Sequence, residues 1–248
     1  MTPPVVLLPP SEGKAIGGRR GSSAGTFGRL LSAERGVVLE GLGRSFAAAS
    51  AQGSLSKMLG VRGELLGRAI ESTEALLEGR AKVLPAWQRY DGVVWGHLGP
   101  GDLDTEIRRR VLVPSGLYGL TTAEDPIADY RLKMSIRLEE TGPLHRFWST
   151  AITAAIGRRF RGETIVDLLP QEHAAAIDYE KLERSVHLIR ITFLAAGGVQ
   201  AAGHDAKAAK GAVARHLLTE GLGGFEDFAW RGWSVTVTEG GYALAAPG

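Results

Sequence analysis

The chain has 248 residues, 44% of them apolar and 23% charged, with a formal charge of +2, six histidines and no cysteine. That length supports a substantial core, and the lack of cysteine excludes disulfides, thiolate zinc sites, iron–sulfur clusters and a thiol nucleophile. No apolar run approaches the ~18 residues that span a bilayer, and no basic segment followed by a long apolar one opens the chain, so a cytoplasmic protein without a membrane partner is expected.

Val5 to Leu8 are apolar, two of them β-branched, and Pro9-Pro10 follows; this predicts a short buried strand. Residues 27–84 predict two or three helices, with Ser54 as an N-cap and Leu55, Met58 and Leu59, then Leu65, Leu66 and Ile70, then Leu76 and Leu77 on apolar faces. Gly60, Gly63 and Gly67 each cost ~1 kcal/mol relative to alanine in a helix, which favours several short elements. Trp87, Tyr90, Val94 and Leu98 share a helical face, predicting a helix from Ala86 to about His97. Leu98-Gly-Pro-Gly-Asp-Leu103 is a tight turn, and Asp104 caps a helix through Arg110 that feeds a strand at Val111 to Val113.

Pro143 opens a helix that carries Leu144, Phe147, Trp148, Ile152 and Ile156 on one face. Thr164 to Leu169 reads as a strand, Gln171 to Ala176 as a short helix and Val186 to Leu194 as another strand. Ala195-Ala-Gly-Gly198 predicts a hairpin turn returning through Val199 to Ala202. A helix follows from Asp205 to about Leu218, then an alternating strand from Trp233 to Thr238 that Tyr242 to Leu244 extends past Gly240-Gly241. This order predicts a mixed α/β, or α+β, fold: one compact domain over residues 1–248, with a central mixed sheet and surrounding helices rather than a regular doubly wound sheet.

Three segments carry more polar chemistry than packing needs. Pro9-Pro-Ser-Glu-Gly-Lys14 places Ser11, Glu12 and Lys14 directly after a strand, where backbone N–H groups and Lys14 can meet a phosphate. Its glycine spacing is not that of a P-loop. Ser115 to Leu138 collects Tyr118, Asp125, Asp129, Tyr130, Arg131, Lys133 and Arg137 beyond a strand end, where ligand-binding loops sit in mixed folds. Arg131 can grip phosphate bidentately, and strand alternation would send Lys133 to the same side. A β-ribbon with a solvated charged face is the competing reading.

In Gly203-His-Asp-Ala-Lys-Ala-Ala-Lys-Gly211, Lys207 and Lys210 are neighbours near a helix start. His204 with Asp205 forms either an acid–base pair or a cap beside a surface imidazole. Arginine clusters at Arg19-Arg20, Arg108-Arg109-Arg110 and Arg158-Arg159 either share a polyanion-binding face or decorate helix surfaces. The turn with Gly99 and Gly101 resembles the hairpin of a helix-hairpin-helix element, whose amides contact backbone phosphate. His97, His145, His173, His187 and His216 show no metal-ligand spacing, so no metal and no cofactor are expected.

Taken in order, these segments resemble the YaaA family of bacterial peroxide-stress proteins. The resemblance rests on Leu8-Pro-Pro-Ser-Glu-Gly-Lys14, Ser115-Gly-Leu-Tyr-Gly-Leu120 with Asp125, Tyr130-Arg-Leu132, Met134 and Ile136-Arg-Leu138, Phe147-Trp148, Ala206-Lys207 with Lys210-Gly211, and Gly224-Phe225 with Trp230. It covers nearly the whole chain. It implies a YaaA-like fold that binds duplex DNA through a basic cleft and limits oxidative damage. Ser11, Lys14, Tyr118, Tyr130, Arg131, Lys133, Lys207, Lys210 and the amides of Gly99 and Gly101 would then meet the nucleic acid.

The chain departs from the family pattern at Gly203-His204-Asp205 and at Leu169-Pro-Gln-Glu-His173. Those departures motivate an alternative, an enzyme acting on a nucleotide or phosphoribosyl substrate by ribosyl transfer or cleavage at a nucleobase. The same cations would hold phosphate, Tyr118 or Tyr130 would flank a ring, and Asp125, Asp129, Glu12 or His204 would act as acid or base. An open cleft lined by all three segments suits a duplex; a closed cavity suits a nucleotide.

Overall fold

Val5 to Leu7 and Val111 to Val113 are buried at every position, as strands must be in a parallel sheet covered on both faces. The computed structural model describes residues 2–247. The first half of the chain forms β1 (Val5–Leu7), β2 (Arg19–Arg20), α1 (Ser32–Ala51), α2 (Leu55–Leu59), α3 (Glu64–Leu77), β3 (Lys82–Pro85), α4 (Ala86–Arg89), α5 (Val93–Leu98) and α6 (Thr105–Arg108). There follow β4 (Val111–Ser115), β5 (Gly119–Thr122), β6 (Pro126–Ala128), β7 (Arg137–Leu138), β8 (Gly142–Pro143), α7 (Leu144–Arg159), β9 (Thr164–Asp167), α8 (Gln171–Ala174) and α9 (Tyr179–Glu183). The chain closes with β10 (His187–Leu194), α10 (Gly203–Thr219), β11 (Ala229–Trp230), β12 (Trp233–Thr238) and β13 (Gly241–Ala245).

The main sheet has eight strands in the order β11-β12-β13-β10-β9-β1-β4-β5. Its middle five, β4, β1, β9, β10 and β13, run parallel, while β5 at one edge and β12 and β11 at the other pair antiparallel. The mixed α/β architecture expected from the element order is therefore present. One continuous core runs from Val5 to Leu244, and a small second cluster of Phe46, Leu59 and Ala69 joins α1, α2 and α3. Because β1, β4, β9 and β10 are parallel, their carboxyl ends open on one side, where ligands bind in open α/β sheets. Among the described residues no helix is long and apolar enough to cross a membrane.

Several local expectations are corrected. The helix predicted from Ala86 to His97 is two helices, because Tyr90 turns extended (φ −75°, ψ 113°) and the backbone there pairs instead with the loop after β1: Ala15 N to Arg89 O at 2.8 Å and Asp91 N to Gly13 O at 3.0 Å. Past Ala195 the chain turns back but forms no strand, since β9 ends opposite Arg190 and leaves an edge met only at the Leu194–Gln200 bridge. Residues 129–136 are irregular rather than a strand, and helix α9 was not anticipated. Ser54 does precede α2, but its hydroxyl bonds to Ala49 O at 3.4 Å instead of capping.

Candidate functional site

The loop that leaves β1 is zipped to the chain between α4 and α5. Gly13 is required there, because a Cβ would lie 2.1 Å from the Asp91 carbonyl oxygen. The pairing of Lys14 with Tyr90 turns the lysine side chain inward, where the residue is only 8% exposed. Its Nζ donates to Ser11 O at 2.8 Å and sits 4.5 Å from the centre of the Tyr130 ring and 5.6 Å from that of Tyr90. Burial, helped by the nearby Arg131 charge, pushes the Lys14 ammonium down to about 7.

Around this amine, Tyr90 and Tyr130 share a hydroxyl contact at 3.1 Å, and Tyr130 continues to Ser115 Oγ at 2.8 Å. Burial raises Tyr130 to about 12 and Tyr90 well above its ordinary value, so both stay neutral. Asp129 accepts from Arg68 Nε at 2.9 Å and Nη2 at 2.6 Å, and from Arg131 Nη1 at 3.0 Å. Arg68 also donates to the Lys14 carbonyl, which ties α3 to the loop. At the outer rim Glu12 and Lys133 pair at 2.7 Å; this hydrogen bond lowers the Glu12 carboxyl and raises the Lys133 ammonium.

Glu12, Lys14, Tyr130, Arg131 and Lys133 border a cavity of about 460 Å³, with Tyr90 and Ser115 behind them. Of the sequence candidates, Ser11, Glu12, Lys14, Tyr130, Arg131 and Lys133 lie on it, and Asp129 stands behind its two arginines. Arg68, Asp91, Glu172 and His173 border it as well. Glu172 is fixed by Ser135 Oγ at 2.8 Å, and burial lowers the His173 imidazole. Local pattern gave no signal for Arg68, whose helix looks like any surface arginine helix; the polar run Gln171-Glu-His173 after a strand was such a signal for His173. The wall is mixed in sign: Lys14, Arg68, Arg131 and Lys133 face Glu12, Asp91 and Glu172.

Lys207 and Lys210 lie elsewhere, in a second hollow of about 620 Å³. The short helix α8 separates the two, with Glu172 and His173 toward the first and Gln171 and Ala174 toward the second. The second hollow holds Asp167, which burial raises, accepting from Tyr179 OH at 2.6 Å. Arg190 stacks on the Tyr179 ring at 4.1 Å. Lys210 donates to Leu168 O, and burial lowers it to about 8. The third segment thus borders a neighbouring hollow rather than the Lys14 cavity, although the Lys207 charge still acts on Glu12 at the rim of that cavity.

The remaining candidates have structural surroundings. Asp125, 5% exposed, accepts from Thr26 N at 2.8 Å, Thr26 Oγ1 at 2.6 Å and Thr122 N at 2.8 Å, outside both hollows. Tyr118 is buried, its hydroxyl accepting from Ala128 N at 3.0 Å. His204 is exposed at the start of α10. At the hairpin-like turn, Gly99 N donates to Trp95 O at 3.1 Å, and the Leu98 and Gly99 carbonyls accept from Arg215 at 3.1 and 3.0 Å. Gly99 and Gly101 border neither hollow. The Arg108 to Arg110 run is no free basic face, since each arginine pairs with a carboxylate: Glu124, Glu106 and Glu163.

Fold and site together define a mixed α/β protein with a buried-lysine cavity at the carboxyl ends of its parallel strands. The sequence profile of the family described as "Peroxide stress protein YaaA" matches residues 5–237. The chain is 33% identical over 225 residues to a UPF0246 protein of Streptomyces coelicolor, covering 88% of this chain and 84% of that protein. It is 28% identical over 252 residues to a UPF0246 protein of Ruegeria sp., covering 98% and 94%. The chain belongs to the YaaA (UPF0246) peroxide-stress family.

Proposed function

We propose that this member of the peroxide-stress family binds nucleic acid and seats one phosphate-bearing nucleotide unit in the Lys14 cavity. The observation that carries the reading is a lysine held against two tyrosine rings on the border of a cavity of about 460 Å³ that also presents Arg131. Cavities of this size accept nucleotide- or drug-sized groups. An aromatic ring beside cations, here that of Tyr130, suits a base or sugar carrying phosphate. A duplex is too large to enter, so it would lie across the mouth, with Lys133 and Lys207 against its backbone.

Fluorescence anisotropy with labelled single-stranded and duplex oligonucleotides over a salt series tests this. Affinity should fall with log salt at a slope of about −0.7 per phosphate neutralised on a single strand and about −0.9 on a duplex. Arg131→Ala and Lys133→Ala should each flatten the slope by about one phosphate. Undetectable or salt-independent binding overturns the reading.

A second reading is favoured by Glu12, Asp91 and Glu172 on the same wall, carboxylates that a plain polyanion binder would avoid. It makes the chain an enzyme on a free nucleotide or phosphoribosyl compound, with Glu12 as the acid or base. A ligand present at a hundred times its Kd would stabilise the protein by about 2.7 kcal/mol. Thermal unfolding with nucleotides and phosphoribosyl compounds that shows no stabilisation rejects this second reading.

A further inference from the structure

We infer that the Lys14 amine captures the aldehyde of a phosphate-bearing pentose, forming an imine inside the cavity. The inference rests on the reading that this cavity holds a nucleotide unit, and it names the form of that unit which reacts.

The geometry sets Lys14 apart from the cations around it. Among the described residues it makes no ion pair: Glu12 is held by Lys133, and Asp129 by Arg68 and Arg131. Its hydrogen bond goes to a neutral carbonyl, that of Ser11, and the rings beside it are tyrosines that stay protonated. Lys133, by contrast, sits at the exposed rim with its charge stabilised by a carboxylate. A desolvated lysine next to another cation is instead the arrangement that makes an amine nucleophilic.

Burial and Arg131 lower the Lys14 ammonium, with Arg89 acting in the same direction and Asp129 and Glu12 in the opposite one. At neutral pH a far larger share of Lys14 then carries a lone pair than of an ordinary lysine, which is neutral in fewer than about one molecule in a thousand.

The same cavity supplies a phosphate anchor. Arg131 engages Asp129 and the Tyr130 carbonyl through Nη1, leaving its other nitrogens for a ligand, and Lys133 borders the mouth. A pentose that has lost its base opens to a free aldehyde a few bonds from a phosphate, which matches an amine and an arginine on one wall. In the reaction the Lys14 lone pair forms the C–N bond and the carbonyl oxygen takes up a proton. The resulting hydroxyl then leaves as water as the C=N bond forms, with the nitrogen giving up the matching proton. Nothing is oxidised or reduced. The aldehyde has two sources of identical chemistry, a base-free site in DNA and free pentose 5-phosphate.

The test is reductive trapping. The full chain is incubated at neutral pH with sodium cyanoborohydride and, in separate arms, a base-free-site oligonucleotide, the intact oligonucleotide or ribose 5-phosphate. Peptide mass mapping then locates adducts, while anisotropy measures binding of both oligonucleotides in parallel. The expected result is an adduct on the Lys14 peptide, absent with intact oligonucleotide, and at least about tenfold above adducts on the Lys133 and Lys207 peptides. Lys14→Arg should abolish it; the map of the unaltered chain decides the matter if that variant does not fold. Adduct with the oligonucleotide assigns the DNA source, and adduct with ribose 5-phosphate alone assigns the free sugar. No adduct on Lys14 in either arm overturns the inference. If the oligonucleotides still bind in that case, the nucleotide-cavity reading survives it; if they do not, both fall.

Discussion

Replacing Asp125 by alanine separates a carboxylate that serves a ligand from one that serves the fold. Its two oxygens accept from Thr26 N, Thr26 Oγ1 and Thr122 N at 2.6–2.8 Å, pinning the loop before α1 to the turn that ends β5. Alanine leaves the buried Thr122 amide without an acceptor, at about 1–3 kcal/mol, while the amide and hydroxyl of Thr26, an exposed residue, can turn to water. Only the Thr122 amide has no such recourse, so the expected loss is roughly 2 kcal/mol. For a chain of this length about 1 kcal/mol moves Tm by about 2–4 °C, which puts the drop at roughly 4–8 °C. Asp125→Asn keeps one accepting oxygen and should fall between. Urea unfolding gives the stability, and oligonucleotide binding is measured well below the new midpoint. Binding per folded molecule should be unchanged within about twofold, since Asp125 lies outside the cavity. An Asp125→Ala protein within about 0.5 kcal/mol of the parent that has lost binding would refute this reasoning and return Asp125 to the site.

Three further outcomes follow from the same contacts. Between about 7, where buried Lys14 titrates in the folded protein, and its ordinary 10.5, the unfolded chain binds the extra proton, so Lys14 makes stability rise with pH across that window. Lys14→Met should therefore gain most over the parent below pH 7, by up to about 5 kcal/mol, and the gain in urea unfolding should shrink toward pH 10; a pH-independent difference counts against the buried-amine account. Lys210, lowered to about 8, adds a slope of the same sign that Lys14→Met leaves in place. Gly119→Ala would put a Cβ 2.5 Å from the Trp148 ring at φ +70°, and a loss of roughly 2–4 kcal/mol is expected; a change under about 1 kcal/mol would show that the β4–β5 turn is not held by that tryptophan. Arg68→Ala leaves Asp129 to Arg131 alone, so more of its negative charge acts on Lys14. The pH midpoint of carbonyl trapping should move up, and an unmoved midpoint would mean that Asp129 does not act on the amine.

The strands that build the site were legible because their physics is local: an apolar run stopped by Pro9-Pro10, or followed by polar residues as after Val113, has few ways to be anything but a buried strand with a ligand-side exit. Which polar groups remain available was not legible, because that depends on partners far along the chain. Asp125 and Asp129 are equivalent by residue type and four positions apart. Yet one is engaged by Thr26, 99 residues away, and the other by Arg68, 61 residues away. The same holds for Arg108 to Arg110, which read as a basic cluster until each finds its glutamate. Tyr90 fits helical spacing with Trp87 and Val94, and the helix breaks there only because the loop after β1 claims its backbone. That break is what turns Lys14 inward. The pattern Ser-Glu-Gly-Lys supplied an amine, but the helix interrupted at Tyr90, 76 residues later, decides that this amine, unlike Lys133, is buried without a carboxylate. A phosphate anchor needs only charge and tolerates exposure, whereas a nucleophile needs a lone pair and hence burial. The contact between residues 13–15 and 89–91 is therefore the feature that shifts the reading of Lys14 from a phosphate ligand toward a reacting group.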